Sequence, residues 1–79
     1  MENINISPLE QYVIDKVRDM RIERGMSQRD LADELEVSNG FIGKVESTGK
    51  RAKYNLALLN QLAKIFSCSP KDFLPDKPL

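Results

Sequence analysis

The chain has 79 residues, twelve Lys or Arg balanced by twelve Asp or Glu, no histidine and one cysteine, Cys68. That length bounds it to a single domain with a modest core. The residue set excludes an internal disulfide, a metal site of clustered Cys or His, and a cysteine nucleophile served by a histidine base.

Residues 1–7 read as an arm, in which the alternation of Ile4 and Ile6 is too short to make a strand. "SPLEQYVIDKVRDMRIERG" reads as a first helix. Ser7 caps it, Pro8 suits its first position and Glu10 stands three residues after the cap. Leu9, Val13, Val17 and Met20 form its apolar stripe, and Gly25 ends it. A second helix starts at once in "MSQRDLADELEV", with Ser27 as cap and Asp30 in the first turn, where a carboxylate meets the helix dipole favourably. Its inner face is Leu31, Ala32 and Leu35. Only Glu36 and Val37 separate it from Ser38, the cap of a third helix, "SNGFIGKVES", with Phe41, Ile42 and Val45 at helical spacing.

"STGKRAKYN" reads as the long loop of the chain. Asn55 then caps "LALLNQLAKIFSC", whose apolar face is Leu58, Leu59, Leu62, Ala63, Ile65 and Phe66. "SPKDFLP" predicts a short fifth helix with cap Ser69, Pro70 first, Asp72 in the first turn and Pro75 as the stop. The expected organisation is a five-helix, all-α domain over 8–75 with an extended tail at 76–79. The polar, acidic opening is not a secretory leader, and no apolar run nears the ~20 residues that cross a bilayer. With a lone cysteine, a structural thiol among apolar neighbours, the expected compartment is the reducing cytoplasm.

Charge is polarised although it sums to zero. Residues 25–43 set Arg29 against Asp30, Asp33, Glu34 and Glu36, whereas residues 44–54 set Lys44, Lys50, Arg51 and Lys53 against Glu46. A cationic stretch beside an acidic one can serve a polyanion; the plainer reading is a solvated loop. Nothing supports catalysis. "GKVESTGKR" imitates a phosphate-binding loop, but it has five residues between its glycines instead of four and Arg51 in place of Ser or Thr. No enzyme, metal or cofactor is expected.

The informative unit is helix, tight turn, helix over residues 27–47. It reads S-Q-R-D-L-A-D-E-L-E-V-S-N-G-F-I-G-K-V-E and resembles the helix-turn-helix of the phage-repressor and Cro family (XRE type). The resemblance extends over about residues 13–74, through "VRDMRIERGMSQ" before the motif and "LNQLAKIFSCSPKDFL" after it. It implies a compact repressor-like domain in which Ala32 allows close helix crossing, Val37 fills the turn, and Leu31 and Leu35 meet Ile42 and Val45. It also implies an ion pair between Arg21 and Glu46, joining the first helix to the end of the third.

In this architecture the third helix enters the major groove by its N-terminal end. The residues expected to read bases are Gln28, Ser38, Asn39, Gly40, Gly43 and Lys44. Those expected on phosphates are Ser27, Thr48, Lys50, Arg51 and Lys53, helped by amides at the starts of the second and third helices. Gly40 and Gly43 each cost roughly 1 kcal/mol against alanine, less for Gly40 in the first turn, so packing rather than propensity holds this helix. Both glycines are expected on the outward face, where they let the backbone approach DNA but remove two reading side chains.

Two departures from the family pattern stand out. Glu36 replaces the usual turn glycine, so the turn is expected to differ locally, and "ESTGKR" is one residue longer than the usual loop, which unsettles the placing of Lys50 and Arg51. The resulting expectation is a sequence-specific binder of double-stranded DNA, a transcriptional regulator of the repressor kind. It would act as a homodimer on a palindrome, paired through Phe73, Leu74 and Leu79, with no membrane and no small-molecule ligand. An antitoxin or restriction–modification controller on the same fold stays open beside it, as does a protein-interaction module that has lost DNA binding.

Overall fold

A computed structural model of the chain describes residues 6–47 and 52–79. Four α-helices follow one another among the described residues: α1 (Pro8–Glu23), α2 (Gln28–Leu35), α3 (Asn39–Glu46) and α4 (Leu56–Phe66). The expected fifth helix is a single 3-10 turn, Pro70–Phe73. Its Asp72 and Leu74 amides donate three residues back, to the Ser69 and Lys71 carbonyls at 2.9 and 3.0 Å. With Pro70 at one end and Pro75 close to the other, the segment is too short for α-helical bonding.

The starts of α1, α2 and α4 are decided locally. At α1 the Glu10 amide donates to Ser7 Oγ (3.1 Å) and the Ser7 amide returns a bond to Glu10 Oε1 (2.9 Å). At α2 the same exchange joins Ser27 and Asp30, both bonds being 2.9 Å. Asn55 Oδ1 accepts from the Leu58 amide at 2.8 Å to open α4. Each device satisfies amides that the first turn leaves without a partner.

The ends of α1, α2 and α4 share a second device. Gly25, Glu36 and Ser67 all have left-handed backbone, at φ 67°, 60° and 55°. This conformation lets the following amide reach back, Val37 to the Ala32 carbonyl (3.1 Å) and Cys68 to that of Ala63 (2.9 Å). The expected departure at Glu36 is therefore not seen. The α2–α3 turn keeps the left-handed geometry that favours glycine, and the glutamate carries the strain, on the order of 1 kcal/mol.

The core gathers Val13, Ile14 and Val17 from α1, Leu31, Ala32 and Leu35 from α2, and Ile42 and Val45 from α3. Leu59, Leu62, Ala63 and Phe66 of α4 close it, with Phe73 and Tyr54. Ile14 widens the expected α1 stripe, while Leu9 at its N-terminal end is 42% exposed. Helix α2 packs on α3 and α4, and α1 packs on α3 and the 3-10 turn. Phe66 and Phe73 meet edge to face at 6.3 Å between centroids, and the Arg24 guanidinium lies 4.8 Å over the Phe66 ring. No helix is long and apolar enough to cross a membrane among the described residues.

Candidate nucleic-acid interface

The helix pair α2–α3 is aligned by packing and then locked by charge. Ala32 is fully buried where the helices meet, and Leu31 and Ile42 are buried completely beside it. Arg21 reaches from α1 to the last residue of α3: its Nε donates to Glu46 Oε2 at 3.0 Å and its Nη2 to Glu46 Oε1 at 2.9 Å. The third nitrogen, Nη1, donates to the Met26 carbonyl at 2.8 Å. This fork fixes α1, the α1–α2 turn and the end of α3 relative to one another. The two side chains retain only 11% and 5% of their exposure, so the pair is desolvated and either charge alone would be stranded. The ion pair implied by the family resemblance is present.

The first turn of α3 differs from the other helix starts. Ser38 has extended backbone but makes no side-chain capping bond, and no acidic residue stands in that turn. Ser38, Asn39, Gly40 and Lys44 are exposed, as the reading surface requires. A Cβ on Gly40 would meet nothing within 4 Å, so this residue faces open space. Gly43 does not. A Cβ there would lie 3.3 Å from Gln28 Oε1, and the residue is half-buried beneath that side chain. Gln28 in turn donates from Nε2 to Glu46 Oε1 at 3.0 Å. Gly43 is thus covered by α2, not bare to a ligand.

The phosphate set is altered more. At the start of α2 the Ser27 amide and hydroxyl oxygen are already used by Asp30. The Asp30 carboxyl is held below its ordinary range, first by the Ser27 backbone bond and then by the Ser27 hydroxyl. That carboxylate occupies the place an anion would take, and the Ser27 amide and hydroxyl are both engaged with Asp30. Lys53 Nζ is paired with Glu10 Oε2 at 2.9 Å. The Ser7 amide, followed by Lys53, pulls the Glu10 carboxyl down to about 2. Thr48, Lys50 and Arg51 lie outside the described residues. On α2 the outer charges are Arg29, Asp30, Asp33 and Glu34, with Glu36 next in the turn, whereas the exposed charge on α3 is Lys44. The cationic side of the motif is therefore that of α3.

Sequence reasoning left Tyr54 in a polar loop. It is buried, its ring edge to face with Phe41 at 6.2 Å, so it supports α3 from below. Burial first, and Glu46 second, push its hydroxyl above the ordinary tyrosine value, and that oxygen has no bonding partner among the described residues. Being the one aromatic in "STGKRAKYN" was the available signal.

The surface expected to pair two copies also changes. Phe73 is 0% exposed and belongs to the core, edge to face with Phe66, so it is not on offer to a partner. Leu74 and Leu79 are exposed. Leu74 borders an apolar groove of about 390 Å³ lined by Leu9, Val13, Tyr54, Leu56 and Leu59, with Glu10 and Lys53 at its edge. Leu56 projects beside it, 83% exposed.

Two eight-residue helices crossing at a small residue, with a tight turn between them and the N-terminal half of the second left open, define a helix-turn-helix protein. Residues 17–73 match the model of the helix-turn-helix family, and the chain belongs to that family, of the XRE type, whose members bind DNA. Among solved structures it is similar to one described as a hypothetical transcription factor NHTF from Neisseria. The identity is 22% and the TM-score 0.73, over 85% of this chain and 75% of that one, a likeness of fold. No curated protein matches the chain.

Proposed function

We propose that the protein is a sequence-specific regulator of transcription, of the repressor kind. It binds double-stranded DNA by seating α3 in the major groove as a homodimer on a palindromic operator, in the cytoplasm. The observation that carries this reading is the start of α3. There Ser38, Asn39 and Gly40 are exposed with no carboxylate in the turn, and Lys44 is exposed further along, in the last turn, on a helix held from behind by the Arg21–Glu46 fork. Asn39 supports pairing with adenine and Lys44 pairing with guanine or phosphate. Lys50 and Arg51 belong to the proposed phosphate set, with Thr48 beside them. Leu74 and Leu79 remain in the proposed dimer surface, joined by Leu9 and Leu56 at the groove.

The reading involves binding without a chemical step. It is supported by membership of a DNA-binding family and by likeness to a protein described as a hypothetical transcription factor. The test is selection of bound duplexes from a random library, followed by titration of the enriched site against salt. A palindromic site and affinity that falls steeply with salt are expected. Folded protein that enriches no sequence would overturn the reading.

A further inference from the structure

The stretch that leads into α4 is tied to the start of α1 by one ion pair, Lys53 Nζ to Glu10 Oε2 at 2.9 Å. The two partners are not equally held. Glu10 Oε1 accepts from the Ser7 amide at 2.9 Å, and the Glu10 amide donates to Ser7 Oγ at 3.1 Å, so the carboxylate is fixed by the cap of α1. It stays ionised, pulled down to about 2 by the Ser7 amide and then by Lys53. Lys53 is an ammonium on a long flexible stem, free to turn elsewhere. The side chains keep 46% and 33% of their exposure, and an ion pair so open to water is weak enough to be exchanged. The pair also stands close to α3: Tyr54, the residue after Lys53, packs edge to face on Phe41 at 6.2 Å.

We propose, resting on the DNA-binding reading above, that Glu10 is an internal rival of DNA phosphate for Lys53, a contact that restrains binding to every duplex. A carboxylate and a phosphate make the same demand on an ammonium, a charge-assisted hydrogen bond. With the pair closed, the two charges cancel and a phosphate is not drawn to Lys53. With it open, a phosphate gains a cation but leaves beside it a fixed carboxylate of its own sign, which repels it. DNA therefore recovers only part of what an unpaired lysine would give. Phosphate contacts carry no sequence information, so the restraint falls on all duplexes alike and leaves the choice of bases to α3.

The test compares the unmodified chain, Glu10→Gln, Lys53→Ala and the double variant. Each is titrated over a series of salt concentrations with the enriched duplex and with a scrambled one. Glutamine serves a capping box as glutamate does, so Glu10→Gln removes the charge and keeps the cap; melting curves establish that every variant is folded. Glu10→Gln is expected to tighten binding to both duplexes by a similar factor, several-fold at low salt. It should also steepen the plot of log affinity against log salt by roughly 0.9, the mark of one more neutralised phosphate. Lys53→Ala should take back that roughly 0.9 in the Glu10→Gln background and less than half of it in the unmodified chain. Equal losses of slope in the two backgrounds would mean that Lys53 reaches phosphate with the pair intact, and would overturn the proposal. So would a gain from Glu10→Gln that persists beside Lys53→Ala, since the carboxylate would then act by repulsion alone. No effect of Glu10→Gln on an enriched duplex sinks this inference only, whereas absence of any enriched duplex sinks the DNA-binding reading with it.

Discussion

Helices α2 and α3 are both eight residues long and both follow a serine in extended backbone, yet they begin in opposite ways. At α2, Ser27 and Asp30 exchange two hydrogen bonds, and a carboxylate stands on the positive end of the helix dipole. At α3 the serine makes no capping bond, no acid follows, and Gly40 stands in the first turn. Helix α2 is finished by its own residues. Helix α3 has no side-chain cap and depends on Ile42 and Val45 beneath it and on Glu46 at its far end. The end that would meet DNA is the end whose stability comes from elsewhere in the fold.

The largest blow to this arrangement is Glu46→Ala. It strands the buried Arg21 charge and frees Gln28, and should cost about 3–5 kcal/mol of stability, read from denaturant unfolding. Replacing the two serines separates the helices next. Ser27→Ala should lower stability by about 1 kcal/mol. Ser38→Ala, which removes no capping bond, should leave the unfolding midpoint nearly unmoved; an equal loss at both sites would mean that the two starts are not different. Gly40→Ala fills open space and should stabilise by up to about 1 kcal/mol while weakening binding to the enriched duplex. Raised stability with unchanged affinity would show that the backbone at 40 does not approach DNA.

Glu36→Gly in the turn between the helices should raise the melting temperature slightly, because glycine takes φ 60° without strain. The smallest effect is electrostatic. The Glu10 carboxyl titrates at about 2 in the folded chain instead of 4.5, so its contribution is complete above pH 4.5 and is lost as pH falls from there through 2. Melting temperatures across that window should slope less in Glu10→Gln than in the unmodified chain.

Features closed within four residues were legible in the sequence. Ser7 with Glu10, Ser27 with Asp30, Asn55 before α4 and Gly25 after α1 all act where they were expected, because their bonding partners lie one helical turn away. The inner faces of α2 and α4 followed from spacing in the same way. The Arg21–Glu46 pair, twenty-five residues apart, was legible only through the family resemblance. The long-range placements were not. Phe73 is an apolar residue next to a proline-stopped end, and its sequence context does not distinguish a core position from a surface one. Lys53 sits in a cationic loop, but its ammonium finds Glu10 across the fold.

By itself, then, the sequence determined the four α-helices, the caps at Ser7, Ser27 and Asn55, and the motif, since propensity, capping and apolar spacing act along the chain; the cap expected at Ser38 makes no side-chain bond, and the expected fifth helix is a 3-10 turn. The tertiary structure alone decided that Tyr54 and Phe73 fill the core, that Leu9 and Leu56 border a groove, and that the Gln28 side chain lies against Gly43. Those outcomes depend on how closely α2 and α3 cross, and on a shared carboxylate whose partners come from α1 and α2, a geometry that no local stretch of chain contains.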